Sequence, residues 1–131
     1  MMQTLECNSQ NSEHDFCIKI KYIDPSIRFV GWLCKCGRLK SYARKNGIEP
    51  MLNLPETKLV YREAVLKARM NHIFDKNLGR TRWSIECRDN IKWITVYFGI
   101  DLLLLSADMK SNHDLIIQTI LSIIKTKSVS Q

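Results

Sequence analysis

The stretch WLCKCGRLK, residues 32–40, is where this sequence comes closest to metal chemistry. Cys34 and Cys36 stand one residue apart, next to Gly37, whereas cysteine pairs in zinc knuckles are typically two to four residues apart. A zinc site also needs four ligands in tetrahedral reach, and the nearest further candidates form no second pair: Cys7, His14 and Cys17. We therefore expect no metal site. The alternative interpretation is the tip of a β-hairpin that carries two thiols.

Catalytic chemistry has little support in the sequence. Nucleophilic catalysis needs a cysteine or serine within reach of a histidine, and His14, His72 and His113 form no local motif with either. The sequence has no paired carboxylates, no Gly-rich phosphate loop and no GxSxG motif. We predict that the protein is not an enzyme and binds no cofactor.

The basic residues favour an anionic partner, because the net charge is +7. The residues that we single out as a candidate anion-binding set are Arg38, Lys40, Arg80, Arg82, Arg88 and Lys92. One interpretation is a nucleic-acid-binding strip, with Trp32, Tyr42 and Trp93 as stacking surfaces. The other is a solvated face whose edge charges discourage aggregation. Charge alone does not choose between them.

Length and composition predict a single globular domain. The chain has 131 residues, of which 45% are apolar and 25% charged. No apolar run reaches the ~18 residues of a membrane span, and the polar N-terminus has no signal-peptide pattern. We expect a cytoplasmic protein without membrane insertion. In that compartment the five cysteines are expected to be reduced thiols, with Cys17 and Cys87 in the core.

Hydrophobic periodicity predicts eight elements in the order α-β-β-α-β-β-β-α. Helices are expected over 12–23, 55–77 and 112–125, and strands over 27–34, 38–44, 80–88, 91–98 and 101–107. Short connections between the last three strands require antiparallel hairpins. The expected fold class is α+β, a five-stranded antiparallel sheet with helices packed on it. Residues 12–126 are predicted to form this domain, with a disordered tail over 1–11 and a frayed tail over 127–131.

The long central helix carries more apolar residues than one sheet face needs. It is either buried within a monomer or half of a homodimer interface. For the second interpretation, the expected interface residues are Leu59, Leu66, Met70, Ile73, Phe74 and Trp83.

Several stretches resemble an uncharacterised family of ammonia-oxidising archaea (Thaumarchaeota): DPSIRFVGWL, CGRLKSYARKNGIEPML, LGRTRWSIECRDNIKWITV and LLLLSADMKSNHDLIIQTILSII. The resemblance runs from about Cys17 to Lys125. At the first hairpin that family tends to have Asp or Asn and a Gly, where this chain has Cys34, Lys35, Cys36 and Gly37. The comparison favours a hairpin turn over a ligand pair.

The order of elements is also similar to the roadblock superfamily, which has a profilin-like relative of the longin fold. That resemblance implies a non-catalytic homodimer in which edge strands join and the long central helices pair antiparallel. It also implies a scaffold or regulatory function, with a small GTPase or a signalling protein as a partner. A basic nucleic-acid-binding domain is the alternative function.

Overall fold

The computed structural model describes the backbone of residues 2–130 and the side chains of residues 12–125. Four α-helices and five β-strands follow one another along the chain. The helices are α1 (Met2–Lys21), α2 (Leu54–Asn71), α3 (Asp75–Leu78) and α4 (His113–Ser130), and a 3-10 turn (His72–Phe74) joins α2 to α3. The strands are β1 (Ile27–Leu33), β2 (Leu39–Arg44), β3 (Trp83–Cys87), β4 (Lys92–Phe98) and β5 (Asp101–Ala107).

The strands form one antiparallel sheet in the order β2-β1-β5-β4-β3, which confirms the predicted α+β fold class. Strand β5 lies at the centre, and its run of four leucines is buried. Leu103 and Leu105 point to one face of the sheet, whereas Leu102 and Leu104 point to the other. A continuous apolar run is expected for a strand that helices cover on both sides.

The larger of the two cores lies under α1 and α4, on one face of the sheet. Its members include Phe16, Cys17 and Ile20 of α1 and Ile116, Ile117 and Ile120 of α4, packed on β4 and β5. The smaller core lies under α2 on the opposite face, where the buried residues are Leu33, Val65, Leu102 and Leu104. The two faces of the sheet are therefore covered unequally.

Three predicted helix boundaries were wrong. The backbone of α1 is helical from Met2, ahead of the predicted start at residue 12, because nothing before Asp24-Pro25 breaks a helix. The disordered tail expected over 1–11 stays a prediction, and the side chains there lie outside the described residues. Likewise α4 continues to Ser130, through most of the predicted frayed tail.

Helix α2 ends at Asn71, although we predicted a single helix to residue 77. The next amide, of His72, hydrogen-bonds to the carbonyl of Arg69 as well as that of Met70, and the chain tightens into the 3-10 turn. Gly79 then takes a φ of 83°, in the left-handed region that glycine adopts readily.

Gly31 provides a test of packing on the α2 face. A Cβ at this position would lie 2.8 Å from a ring carbon of Phe29 and 3.0 Å from Leu39 Cδ1. The Phe29 ring is itself stacked between Tyr42 and Tyr61, which limits its movement. We predict that Gly31→Ala lowers the free energy of unfolding by about 1–3 kcal/mol in urea denaturation. In a Phe29→Leu background the same change should cost much less; an equal cost in both backgrounds would contradict this explanation.

Cys17 provides a test of the larger core. Burial raises the pKa of the Cys17 thiol from 9.0 to about 11, and this effect outweighs the opposing hydrogen bond with Ser41. Below pH 9 the thiol is neutral in both states, so its full contribution to stability is present. Between pH 9 and 11 only the unfolded state ionises, and stability falls by on the order of 2 kcal/mol. Urea unfolding should show this extra loss in the wild type relative to Cys17→Ala; parallel pH profiles would refute it.

Candidate protein-binding surface

Helix α2 has a firmly fixed start. Asn53 caps it, because its Oδ1 accepts the Glu56 amide at 2.9 Å while Glu56 Oε1 accepts the Asn53 amide at 3.0 Å. Pro55 follows in the first turn, where its missing amide donor is not needed. This capping box sets where α2 begins.

Only a narrow side of α2 is buried. Val65 is the one buried residue of the helix, and Tyr61, Ala64 and Ala68 flank it at half-buried positions. They pack against the buried Leu104 and its neighbours on β1 and β5. The sheet therefore uses less than half of the helix circumference.

The outward side of α2 is apolar. Leu59, Leu66, Met70 and Ile73 follow one another at helical spacings of seven, four and three residues, so they form one stripe. The exposed fractions are 61% for Leu59, 52% for Leu66, 63% for Met70 and 75% for Ile73. Ile73 and Phe74 carry the stripe beyond α2 into the 3-10 turn, and Phe74 is also exposed. The sequence left open whether this helix is buried within a monomer, and the structure excludes that interpretation.

Strand β3 lies beside this stripe at one edge of the sheet. It pairs with β4 alone, so its outer backbone groups have no partner strand in the described part of the chain. Trp83 begins the strand and is 38% exposed. All six residues predicted for a dimer interface are thus exposed in the single chain.

A groove of about 550 Å³ separates α2 from the face of β3 and β4. Leu59, Val60 and Ala64 form its helix side, and Trp93 and Tyr97 form its sheet side. Charged groups lie at its rim: Glu63 and Lys67 on α2, and Glu86 and Arg88 at β3. Glu86 and Arg88 pair with each other at 2.7 Å. The groove is wide and apolar at its base, which suits a packed helix better than a small ligand.

The predicted anion-binding residues do not form one strip. Lys40 lies on β2 and Arg88 follows β3, at opposite edges of a sheet that is about 19 Å wide between its outer strands. Lys92 is only 7% exposed, and its Nζ donates to the Ser111 carbonyl at 2.8 Å. Including Lys92 in a surface set was wrong, because its alternating strand position points into the protein. Arg38 lies in the turn between β1 and β2, and Arg80 and Arg82 lie just before β3.

The cysteines correct a second prediction. Cys34 and Cys36 form a disulfide, whereas we expected reduced thiols. The hairpin turn explains this pairing: the Gly37 amide bonds to the Cys34 carbonyl at 3.0 Å, and the turn holds the two cysteine Cα atoms 5.3 Å apart. Cys17 is buried as expected, but Cys87 is exposed because it ends the edge strand.

No catalytic arrangement emerges from the described side chains. His72 is exposed and pairs with Asp75 at 2.8 Å, and His113 Nδ1 lies 3.1 Å from Lys92 Nζ. Among residues 12–125, no three His, Cys, Asp or Glu side chains converge as metal ligands. The helices of this same region include none with the length and apolar character needed to cross a membrane.

Comparison with known proteins yields a match in structure and none in sequence. No family model matches the chain, and no curated protein matches it either. Among solved structures, a roadblock/LC7 domain from Streptomyces avermitilis has a TM-score of 0.68 at 11% identity, over 86% of this chain and 92% of that one. Myxococcus xanthus MglB has a TM-score of 0.67 at 14% identity, over 90% of this chain and 95% of that one. The gliding protein MglB of Thermus thermophilus has a TM-score of 0.64 at 10% identity, over 79% and 78%. The chain has the roadblock/LC7 fold.

Proposed function

We propose that this protein is a non-catalytic scaffold or regulatory module that acts through homodimerisation and contacts with other proteins. The observation that carries the proposal is the exposed stripe on α2, which lies beside an open sheet edge and a deep groove. Monomeric proteins rarely leave a contiguous apolar surface of this kind exposed. A second copy of the chain supplies a matching surface, because a two-fold interface uses the same residues on both copies and is self-complementary.

The proposed dimer joins β3 of one copy to β3 of the other, and the two α2 helices lie antiparallel across the extended sheet. The partner's α2 then fills the groove beside Trp93 and Tyr97. The roadblock resemblance implies the same arrangement. One of the similar solved structures is described as MglB with tetrameric arrangement, so that protein of the same fold also self-associates.

The stripe itself suggests the register of the helix pair. Leu66 lies midway between Leu59 and Ile73, and a two-fold axis at Leu66 places Leu59 of one copy opposite Ile73 of the other. In this register the two Leu66 side chains meet on the axis. Glu63 and Arg69, three residues before and after Leu66, flank the stripe on opposite sides and are exposed in the single chain, so the centre of the proposed contact is apolar.

The finer functional proposal is that the dimer binds a protein of the small GTPase or signalling class that the roadblock resemblance implies. Its support is the fold and the lack of a catalytic arrangement among the described side chains. The nucleic-acid alternative receives less support, because the predicted cations lie at separate edges and Lys92 is buried. Phosphate binding along a strand requires cations in a continuous groove.

The central test of dimerisation is Met70→Glu. We expect the wild type to be a dimer in multi-angle light scattering and the variant to be monomeric, since two carboxylates would enter an interface that removes them from water. The side chain is exposed in the single chain, so the variant should remain folded by circular dichroism. Leu115→Glu is a matched control on α4, where an exposed leucine lies on the opposite face, and should stay dimeric. A wild type that remains monomeric at high micromolar concentration would contradict the proposal of dimerisation.

The register has its own test at Leu66, which the proposed axis places against its counterpart in the second copy. Leu66→Cys should give a disulfide-linked dimer on mild oxidation, as seen by non-reducing gel electrophoresis, whereas Leu59→Cys should not, because the register puts it opposite Ile73. The exposed Cys87 is replaced by serine in both variants. Equal cross-linking of the two cysteines would show that the helices do not pair in this register.

A further inference from the structure

A cleft of about 610 Å³ runs between α1 and the edge strand β2, on the side of the sheet away from β3. Every residue of β2, Leu39–Arg44, lines it. From α1 it is lined by His14, Ile18 and Lys21, which lie four and three residues apart and so share one side of the helix. The cleft therefore follows the whole length of an edge strand that is paired on one side only.

The backbone of β2 offers hydrogen-bonding groups to this cleft. The Lys45 amide bonds to the Arg28 carbonyl at 2.8 Å, and pairing continues with Arg44 opposite Phe29. In an antiparallel ladder the hydrogen-bonded pairs alternate, so the next such pair contains Ala43. The amide and carbonyl groups of Tyr42 and Arg44 consequently point away from β1, toward the open edge. A strand placed alongside would find donors and acceptors at a spacing of two residues.

The side chains of the cleft are apolar at the base and basic at the rim. Ile18 and Ala43 provide the apolar part, whereas the Leu39 side chain packs in the smaller core on the other face. The rim on the α1 side carries His14, Lys21 and Lys40, whereas the Arg44 guanidinium lies 4.9 Å from the Phe29 ring on the opposite face of the sheet; no acidic side chain lines the cleft in the described part of the chain. Such a site attracts an anionic chain and repels a basic one.

Lys40 lies at one end of this rim, where two carboxylates hold its ammonium group. Its Nζ lies 3.3 Å from Asp101 Oδ2 and 3.4 Å from Glu13 Oε2. Burial opposes the charge of Lys40, but Asp101 and Glu13 outweigh it and raise the pKa of the ammonium group. The carboxylate of Asp101 also accepts a hydrogen bond from Trp32 Nε1 at 2.8 Å, which ties the end of the cleft to β1 and β5. Lys40 is thus largely neutralised, whereas Lys21 and Arg44 have no carboxylate partner among the described ion pairs.

We propose that this cleft binds an acidic segment of a partner protein in extended conformation, added to β2 as a further antiparallel or parallel strand. Main-chain hydrogen bonds to Tyr42 and Arg44 provide affinity. Acidic side chains provide selectivity, on one face of the added strand toward Lys21 and on the other toward Arg44. Edge cations prevent association with other basic edges, including β2 of a second copy, while they favour an acidic strand. The inference rests on the proposed role as a protein-binding module, but it uses the sheet edge opposite to the proposed dimer contact.

The binding test uses a fluorescein-labelled peptide of about eight residues built from Glu-Glu-Val-Val repeats, which places Glu on both faces of the strand, measured by fluorescence anisotropy. Two comparison peptides have the same length: one with Lys in place of Glu, and one with the same charge but a central proline pair that blocks strand pairing. We expect only the first to bind, more weakly as salt rises, and the amides of Tyr42 and Arg44 to exchange more slowly when it is bound. Equal binding of the proline peptide would overturn the proposal, since it would leave charge as the sole determinant.

Tyr42→Pro tests the backbone contact directly. It removes an amide that points outward, so the β1–β2 ladder is retained and circular dichroism should be unchanged. We expect binding of the Glu peptide to weaken at least about tenfold, whereas Tyr42→Ala, which keeps the amide, should change it less than about threefold. Unaltered binding by a folded Tyr42→Pro variant would refute strand addition.

Lys21→Glu with Arg44→Glu tests the charge separately and leaves the backbone intact. This variant should no longer bind the Glu peptide and should bind the Lys peptide instead. A single-stranded oligonucleotide that competes equally well with the wild type and with Tyr42→Pro would identify the cleft as a nucleic-acid site and overturn the proposal. Peptide binding by the Met70→Glu variant should equal that of the wild type. A result that contradicts the dimer proposal can therefore be distinguished from one that contradicts the cleft proposal.

Discussion

The unequal cover of the two sheet faces is the constraint on which the rest of this structure depends. Five strands span about 19 Å between the outer strand axes, and a helix with its side chains is about 10 Å wide. Two helices, α1 and α4, therefore cover one face fully. On the other face α2 covers the strip over β1 and β5 and leaves the apolar side chains of β4, Trp93 and Tyr97, beside an open groove. The folded single chain is left with an apolar face that needs a second helix.

The same constraint explains the composition of α2. A helix that lies on the sheet with solvent on its outer side normally carries polar residues there. Here the outer side is apolar at Leu59, Leu66 and Met70, and the inner side is small, with Ala64 and Ala68 flanking Val65. Small inner residues let the helix approach the sheet closely, and large outer ones fit a partner surface. Exchanging the two sides would give a better monomer, so the observed distribution favours association.

Much of the fold could be predicted from local pattern. Alternation over 27–34, the turn at Gly37 and the tight connections after β3 and β4 follow from backbone preferences, and each is confirmed. The candidate interface was also accessible, since an excess of apolar residues on one helix is visible in the sequence. That excess left burial within a monomer and dimer formation as alternatives. Only the position of α2 on the sheet decides that Met70 points outward.

The remaining features depend on contacts distant in sequence. Lys92 looked like a surface cation, but its strand position places it against the start of α4, where its Nζ donates a hydrogen bond to the Ser111 carbonyl. The Cys34–Cys36 disulfide depends on how tightly one turn closes, which a spacing of two does not specify. The cleft beside β2 was not predicted, because its position depends both on which strand lies at the sheet edge and on which side of α1 faces that strand. The basic residues of β2 could have indicated this cleft, but we grouped Lys40 with cations such as Arg88 at the other edge of the sheet.

Charge and apolar surface therefore act at different edges of the sheet, and salt affects them in opposite directions. Each copy carries a net charge of +7, so two copies repel one another, and the proposed dimer must derive its free energy from apolar burial on α2. Screening weakens that repulsion, so the proposed dimer should become more stable as salt rises. At the β2 cleft the charges of the proposed partner and the site are opposite, so the same screening should weaken binding. A basic protein with an apolar dimer surface can thus keep its self-association separate from its recognition of an acidic partner, because each interaction depends on a different physical force.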